Sequence, residues 1–158
     1  MDIGIIVYSQ GGNTLSVAEK LKDKLAASGH TVALERVEIE GEVKPGPGGG
    51  DVTLKSAPAV DRHKGIVFAA PVQAFSLAAA MKGYLNRIGS MEDTKFACLV
   101  TKQLKGNWTG GNSAVRKMKK IGEEKGGTFL GSEIVIWSSG EREKMIEDAV
   151  EELAGLFT

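Results

Sequence analysis

The chain has 158 residues, 42% hydrophobic and 25% charged, which suits a protein with a core of its own and excludes a disordered or fibrous class. Lys plus Arg and Asp plus Glu both number 20, so no net field draws the chain to nucleic acid or to an anionic membrane. The single cysteine, Cys98, excludes an intrachain disulfide and a site of several thiolates. With no export signal at the start and no apolar run near the roughly 20 residues of a membrane span, the expectation is a cytoplasmic protein of one domain, residues 1–158.

In chain order, an apolar run over residues 3–8 has strand character, and the turn Ser9-Gln10-Gly11-Gly12-Asn13-Thr14 follows it directly. Leu15, Ala18, Leu21 and Leu25 then recur at helical spacing, with Glu19, Lys20, Asp23 and Lys24 facing elsewhere, and that helix stops at Gly29. Residues 31–37 read as a second strand. The following stretch, 40–63, contains Lys44-Pro45-Gly46-Pro47-Gly48-Gly49-Gly50, which excludes a regular helix. This crossover is expected to be mostly loop, with a short helical turn near 58–62.

A third strand spans 65–70, and Leu77, Met81, Tyr84, Leu85 and Ile88 share one face of a second helix ending at Gly89. Residues 95–101 form a fourth strand, and Val115, Met118 and Ile121 a third helical stripe before Gly126-Gly127. After a fifth strand over 128–137, Met145, Ile146, Ala149, Val150, Leu153 and Leu156 carry a last helix to the C-terminus. Continuous apolar strands alternating with amphipathic helices imply an α/β fold with a parallel sheet covered on both faces. This spacing suits three layers and the strand order 2-1-3-4-5, whose ligand site lies at the switch point between the first and third strands.

The turn at residues 9–14 stands at that point, between a strand and a helix. Two glycines let the backbone curl so that N–H groups converge on an anion at the positive end of the helix, while Ser9, Asn13 and Thr14 add side-chain donors. The Gly-Lys-Ser/Thr ending of a triphosphate loop and the three-glycine dinucleotide fingerprint are both missing. The plain alternative is a helix start capped by Asn13 or Thr14.

These residues resemble the phosphate loop of the flavodoxin family. Residues 66–75, with Met81-Lys82-Gly83-Tyr84-Leu85 after them, are similar to the second flavin loop of the branch that holds WrbA-type and NAD(P)H:quinone reductases, and residues 101–111 fall where the third loop belongs. The resemblance implies a flavodoxin-like sandwich with FMN as a non-covalent cofactor. Ser9, Gln10, Gly11, Gly12, Asn13 and Thr14 would hold its phosphate. Pro71, Val72, Gln73, Ala74 and Phe75 would line the ring, and Thr101, Lys102, Gln103, Leu104 and Trp108 would meet its pyrimidine side, with Phe75 or Trp108 stacking on it. The chain departs from the family at Ala70, where glycine is common, and at Lys102-Gln103-Leu104-Lys105, where acidic or aromatic residues are common. A cation there would favour an anionic reduced ring, or would simply point into water.

No catalytic side chain is needed, because the cofactor performs the electron chemistry. His30 and His63 are expected in solvent, with no metal-ligand spacing between them, and Cys98 in the core. Three functions follow from the resemblance: a shuttle that passes electrons to a protein partner, an NAD(P)H-dependent oxidoreductase acting on a small quinone-type acceptor, and a flavin-free binding module. Formal neutrality weighs against the shuttle, whose family members are usually strongly acidic. The enzyme would need a nicotinamide pocket, which a homo-oligomer would supply across subunits.

Overall fold

The computed structural model describes residues 1–41, 52–106 and 109–158. The chain runs β1 (Asp2–Val7), α1 (Asn13–Ala27), β2 (Thr31–Arg36), β3 (Glu38–Glu40), β4 (Thr53–Ser56), β5 (Gly65–Gln73), β6 (Ser76–Leu77), α2 (Ala79–Arg87), β7 (Lys95–Lys102), α3 (Gly111–Glu124), β8 (Thr128–Ile136) and α4 (Arg142–Gly155). The central sheet has the order β2-β1-β5-β7-β8, with every neighbouring pair along that path parallel. This is the order 2-1-3-4-5 expected from the spacing of apolar runs.

The alternation of each inner strand divides the core into two layers. From β1, Ile3, Ile5 and Val7 pack with Val17, Leu21 and Leu25 of α1 and with Ile146, Val150 and Leu153 of α4. On the other face Ile6, Ile66, Phe68, Phe96 and Cys98 pack with Met81, Tyr84 and Leu85 of α2 and with Met118 of α3. Phe96 anchors this second layer edge-on, its ring centre 6.0 Å from Phe68 and 5.5 Å from Phe129. Such contacts contribute roughly 0.5–1.5 kcal/mol each beyond burial. Cys98 is fully buried, and burial pushes its thiol pKa far up. No helix among the described residues is long and apolar enough to cross a membrane.

The crossover after β2 differs from expectation. Its described parts form a two-stranded antiparallel ribbon, β3 with β4, and a turn at Asp61 and Arg62 replaces the expected helical turn. The Pro/Gly segment at 44–50 lies outside the described residues. The strand after it is also longer than its apolar run suggests. β5 continues through Pro71 to Gln73 and folds back into β6, pairing Val72 with Leu77 and Gln73 with Ser76.

The histidines also depart from expectation. The His63 ring is only 9% exposed, packs over Gly4 and bonds Glu35 through Nε2 at 2.8 Å. Gly4 makes room, since a Cβ there would lie 2.4 Å from the ring. His30 buries Nδ1 with no hydrogen-bond partner among the described residues.

Candidate functional site

The loops after β1, β5 and β7 emerge together at the carboxyl ends of neighbouring strands, where an open α/β sheet places its ligand. Between them lies a cavity of about 190 Å³, lined by Ser9, Gln10, Gly11, Asn13, Thr14, Pro71, Val72, Gln73, Thr101, Lys102 and Gln103. Residues far apart in sequence and singled out from their motifs thus share one wall.

The first loop is shaped by Gly12, whose φ of 92° is left-handed and which leaves α1 without a side-chain cap. Ser9 substitutes from outside the helix: its Oγ accepts the N–H of Gly12 at 3.2 Å and of Leu15 at 3.3 Å. Among the described residues the backbone N–H groups of Asn13 and Thr14 keep no partner, as the first turn of a helix requires. The space where Cβ atoms of Gly11 and Gly12 would stand is empty to 4 Å. Free N–H groups, a helix N-terminus and open backbone together suit a phosphate. Thr14 is buried beneath, its hydroxyl sharing a 2.7 Å hydrogen bond with that of Thr101 and tying the first loop to the third. A second tie runs across the rim, where Gln73 Nε2 donates to Gln10 Oε1 at 2.6 Å.

The second loop is the two-residue tip of the β5–β6 hairpin. Ala74 and Phe75 both have positive φ, 49° and 60°, the backbone of a type I′ turn, for which Asn-Gly is the usual sequence. A packed neighbour holds this strained tip. Gly110, itself at φ 99°, comes so near that a Cβ on it would lie 2.3 Å from the Phe75 carbonyl carbon. Lys117 of α3 adds a hydrogen bond to Ser76 Oγ. Phe75 is 55% exposed and Leu104 51%, both outside the cavity lining, while Ala74 faces a neighbouring cleft.

The third loop contains the largest surprise. Lys102 is only 9% exposed, and its ammonium donates to Gly106 O and Thr109 Oγ1, both at 2.9 Å. Thr109 in turn bonds the carbonyls of Leu104 and Gly106. The cation therefore ties its own loop together instead of reaching into water, while Lys105 is exposed. Trp108 lies outside the described residues. Sequence reasoning missed Thr109 and Gly110, although Gly110-Gly111-Asn112 repeats Gly11-Gly12-Asn13 and likewise starts a helix from a left-handed glycine. Among the described residues no group of three or more His, Cys, Asp or Glu is placed to hold a metal.

The profile of the family described as NADPH-dependent FMN reductase matches residues 1–142. The chain belongs to that family. FMN is its cofactor, and it is a flavin redox protein. Among solved structures, oxidised flavodoxin 2 from Bacillus cereus aligns with a TM-score of 0.71 at 20% identity, covering 99% of this chain and 100% of that one. A WrbA-like protein from Agrobacterium tumefaciens aligns at 0.66 and 12% identity, over 98% of this chain and 96% of that one. A flavoprotein from Lactobacillus acidophilus, solved in complex with FMN, aligns at 0.62 and 14% identity, over 94% and 97% of the respective chains. These likenesses establish the flavodoxin-like fold. No curated protein is similar enough in sequence to count as a relative.

The residues present suit FMN. A cavity of about 190 Å³ is smaller than a site for a whole drug-sized ligand, typically about 300–1,000 Å³, so it has room for part of the cofactor, and the partner-free N–H groups of Asn13 and Thr14 on its wall suit an anionic part.

Proposed function

We propose that the chain is a cytoplasmic single-domain oxidoreductase in which NADPH reduces bound FMN and the reduced cofactor passes its electrons to a small quinone-type acceptor. The observation that carries this reading is a cleft of about 900 Å³ directly beside the cofactor cavity. It shares Ser9, Gln10 and Gln73 with that cavity, so the hydrogen-bonded Gln10–Gln73 pair forms part of the wall between the two. Its volume is in the range of a second small-molecule site, and it lies within one chain, so the reading needs no second subunit to build a nucleotide pocket.

When bound, FMN supplies a ring that accepts a hydride and releases electrons. The protein's part is to bind and orient. The turn Ser9, Gln10, Gly11, Gly12, Asn13 and Thr14 would hold the phosphate, with Ser9 fixing the Gly12 N–H so that the partner-free N–H groups of Asn13 and Thr14 face the anion. Pro71, Val72 and Gln73, with Thr101, Lys102 and Gln103, form the walls toward the ring. The type I′ tip carrying Phe75, pinned by Gly110, limits how far the second loop yields.

A second reading, a shuttle docking on a protein partner, is favoured by the exposure of Phe75 and Leu104 on the second and third loops. Anaerobic mixing of the FMN-loaded protein with NADPH separates the two. The enzyme reading expects loss of the oxidised flavin absorbance at a rate within the usual enzymatic range of about 1–1,000 s⁻¹. Full reduction by dithionite with no response to NADPH or NADH would give the molecule to the shuttle.

A further inference from the structure

The cleft beside the cofactor cavity reaches the carboxyl end of β2, where the chain places Arg36. Glu35, next to it, is already engaged by Arg62 at 3.0 Å and His63 at 2.8 Å. Arg36 itself is exposed, and its guanidinium has no hydrogen bond or ion pair among the described residues. An unneutralised guanidinium therefore stands at one side of a cleft whose other side is shared with the FMN site. Between them Gln10, whose Oε1 accepts from Gln73, keeps its amide N–H groups available. Half-buried Ile39 offers an apolar surface on the same wall.

We propose that this cleft receives the adenosine half of the nucleotide and that Arg36 reads its 2′-phosphate, making the chain selective for NADPH over NADH. The inference rests on the donor reading above. A guanidinium presents parallel N–H donors that match two phosphate oxygens, and such charge-assisted pairs are among the stronger polar contacts. NADH, with a hydroxyl at that place, leaves the fork unmatched. Glu38, exposed on the same cleft, is the competing reader: its carboxylate suits a ribose hydroxyl and repels a phosphate.

The test uses the FMN-loaded protein and its Arg36→Gln and Glu38→Gln variants. Calorimetric titration with 2′,5′-ADP and with 5′-ADP is paired with anaerobic reduction by NADPH and NADH. Wild type is expected to bind 2′,5′-ADP at least tenfold more tightly than 5′-ADP. Arg36→Gln should remove that preference and lower the NADPH-to-NADH ratio of kcat/KM by roughly tenfold or more, chiefly through KM. Normal reduction by NADPH with the ratio untouched in Arg36→Gln would overturn the inference and leave the donor reading standing. Arg36-dependent binding of 2′,5′-ADP without flavin reduction would overturn the donor reading and keep the site. Loss of NADH binding in Glu38→Gln, with Arg36→Gln silent, would overturn the inference in favour of NADH.

Discussion

Thr14 shows how one side chain serves both the fold and the site. As the second residue of α1 it is buried, and its hydroxyl meets that of Thr101 at 2.7 Å, so only one of the two protons lies between them. The other remains available to an oxygen above. Thr14→Ala should therefore weaken FMN by about 10- to 100-fold, in line with roughly 1.5–3 kcal/mol for a hydrogen bond to a charged group, and weaken riboflavin far less. Fluorescence titration of both ligands measures this, and equal weakening of the two would remove Thr14 from the phosphate. Lys102 is the opposite case. Its position in the third loop was legible from sequence, but its role was not, because nothing local says that a lysine in Lys102-Gln103-Leu104-Lys105 will turn back onto Gly106 and Thr109. Burial of an ammonium is costly unless oxygens surround it, and those oxygens arrive from residues with no charge to advertise them.

At the scale of elements, regular strands and helices followed from period and apolar content, whereas short irregular ones did not. α1 and α4 announce themselves through apolar residues at helical spacing. The β3–β4 ribbon does not, since Glu38-Ile39-Glu40 and Thr53-Leu54-Lys55-Ser56 each bury only part of one face. The β5–β6 hairpin hides for another reason: its turn residues, Ala74 and Phe75, carry none of the Gly, Asn or Asp signals of a tight turn. Packing against Gly110 and the Lys117–Ser76 bond hold a backbone that local preference opposes. Such strain gathers where a loop must be held in place for a ligand. Ala74→Gly should relieve it and raise the stability of the FMN-free protein by about 0.5–1 kcal/mol, net of the added freedom of glycine in the unfolded chain. Urea unfolding checks the sign, and a loss of stability would show that the left-handed turn carries no strain at Ala74.

Across the whole molecule, the strand order β2-β1-β5-β7-β8 brings three loops to one rim, and this convergence turns separate motifs into a site. Topology was the most legible level, because right-handed crossovers leave few ways to arrange strands and helices that alternate. The neighbouring cleft was the least legible, since it depends on how the β3–β4 ribbon stands beside the first loop, and no apolar period encodes that. Formal neutrality is consistent with this division: selectivity for anionic ligands lies in local donors such as the N–H groups of Asn13 and Thr14, not in a global field. The most direct measurement of the central claim is calorimetric titration of the FMN-free protein with FMN and with riboflavin. The account predicts one FMN per chain and at least tenfold weaker riboflavin, because only FMN fills the phosphate cradle. Equal affinity for the two, or no binding of FMN, would contradict it.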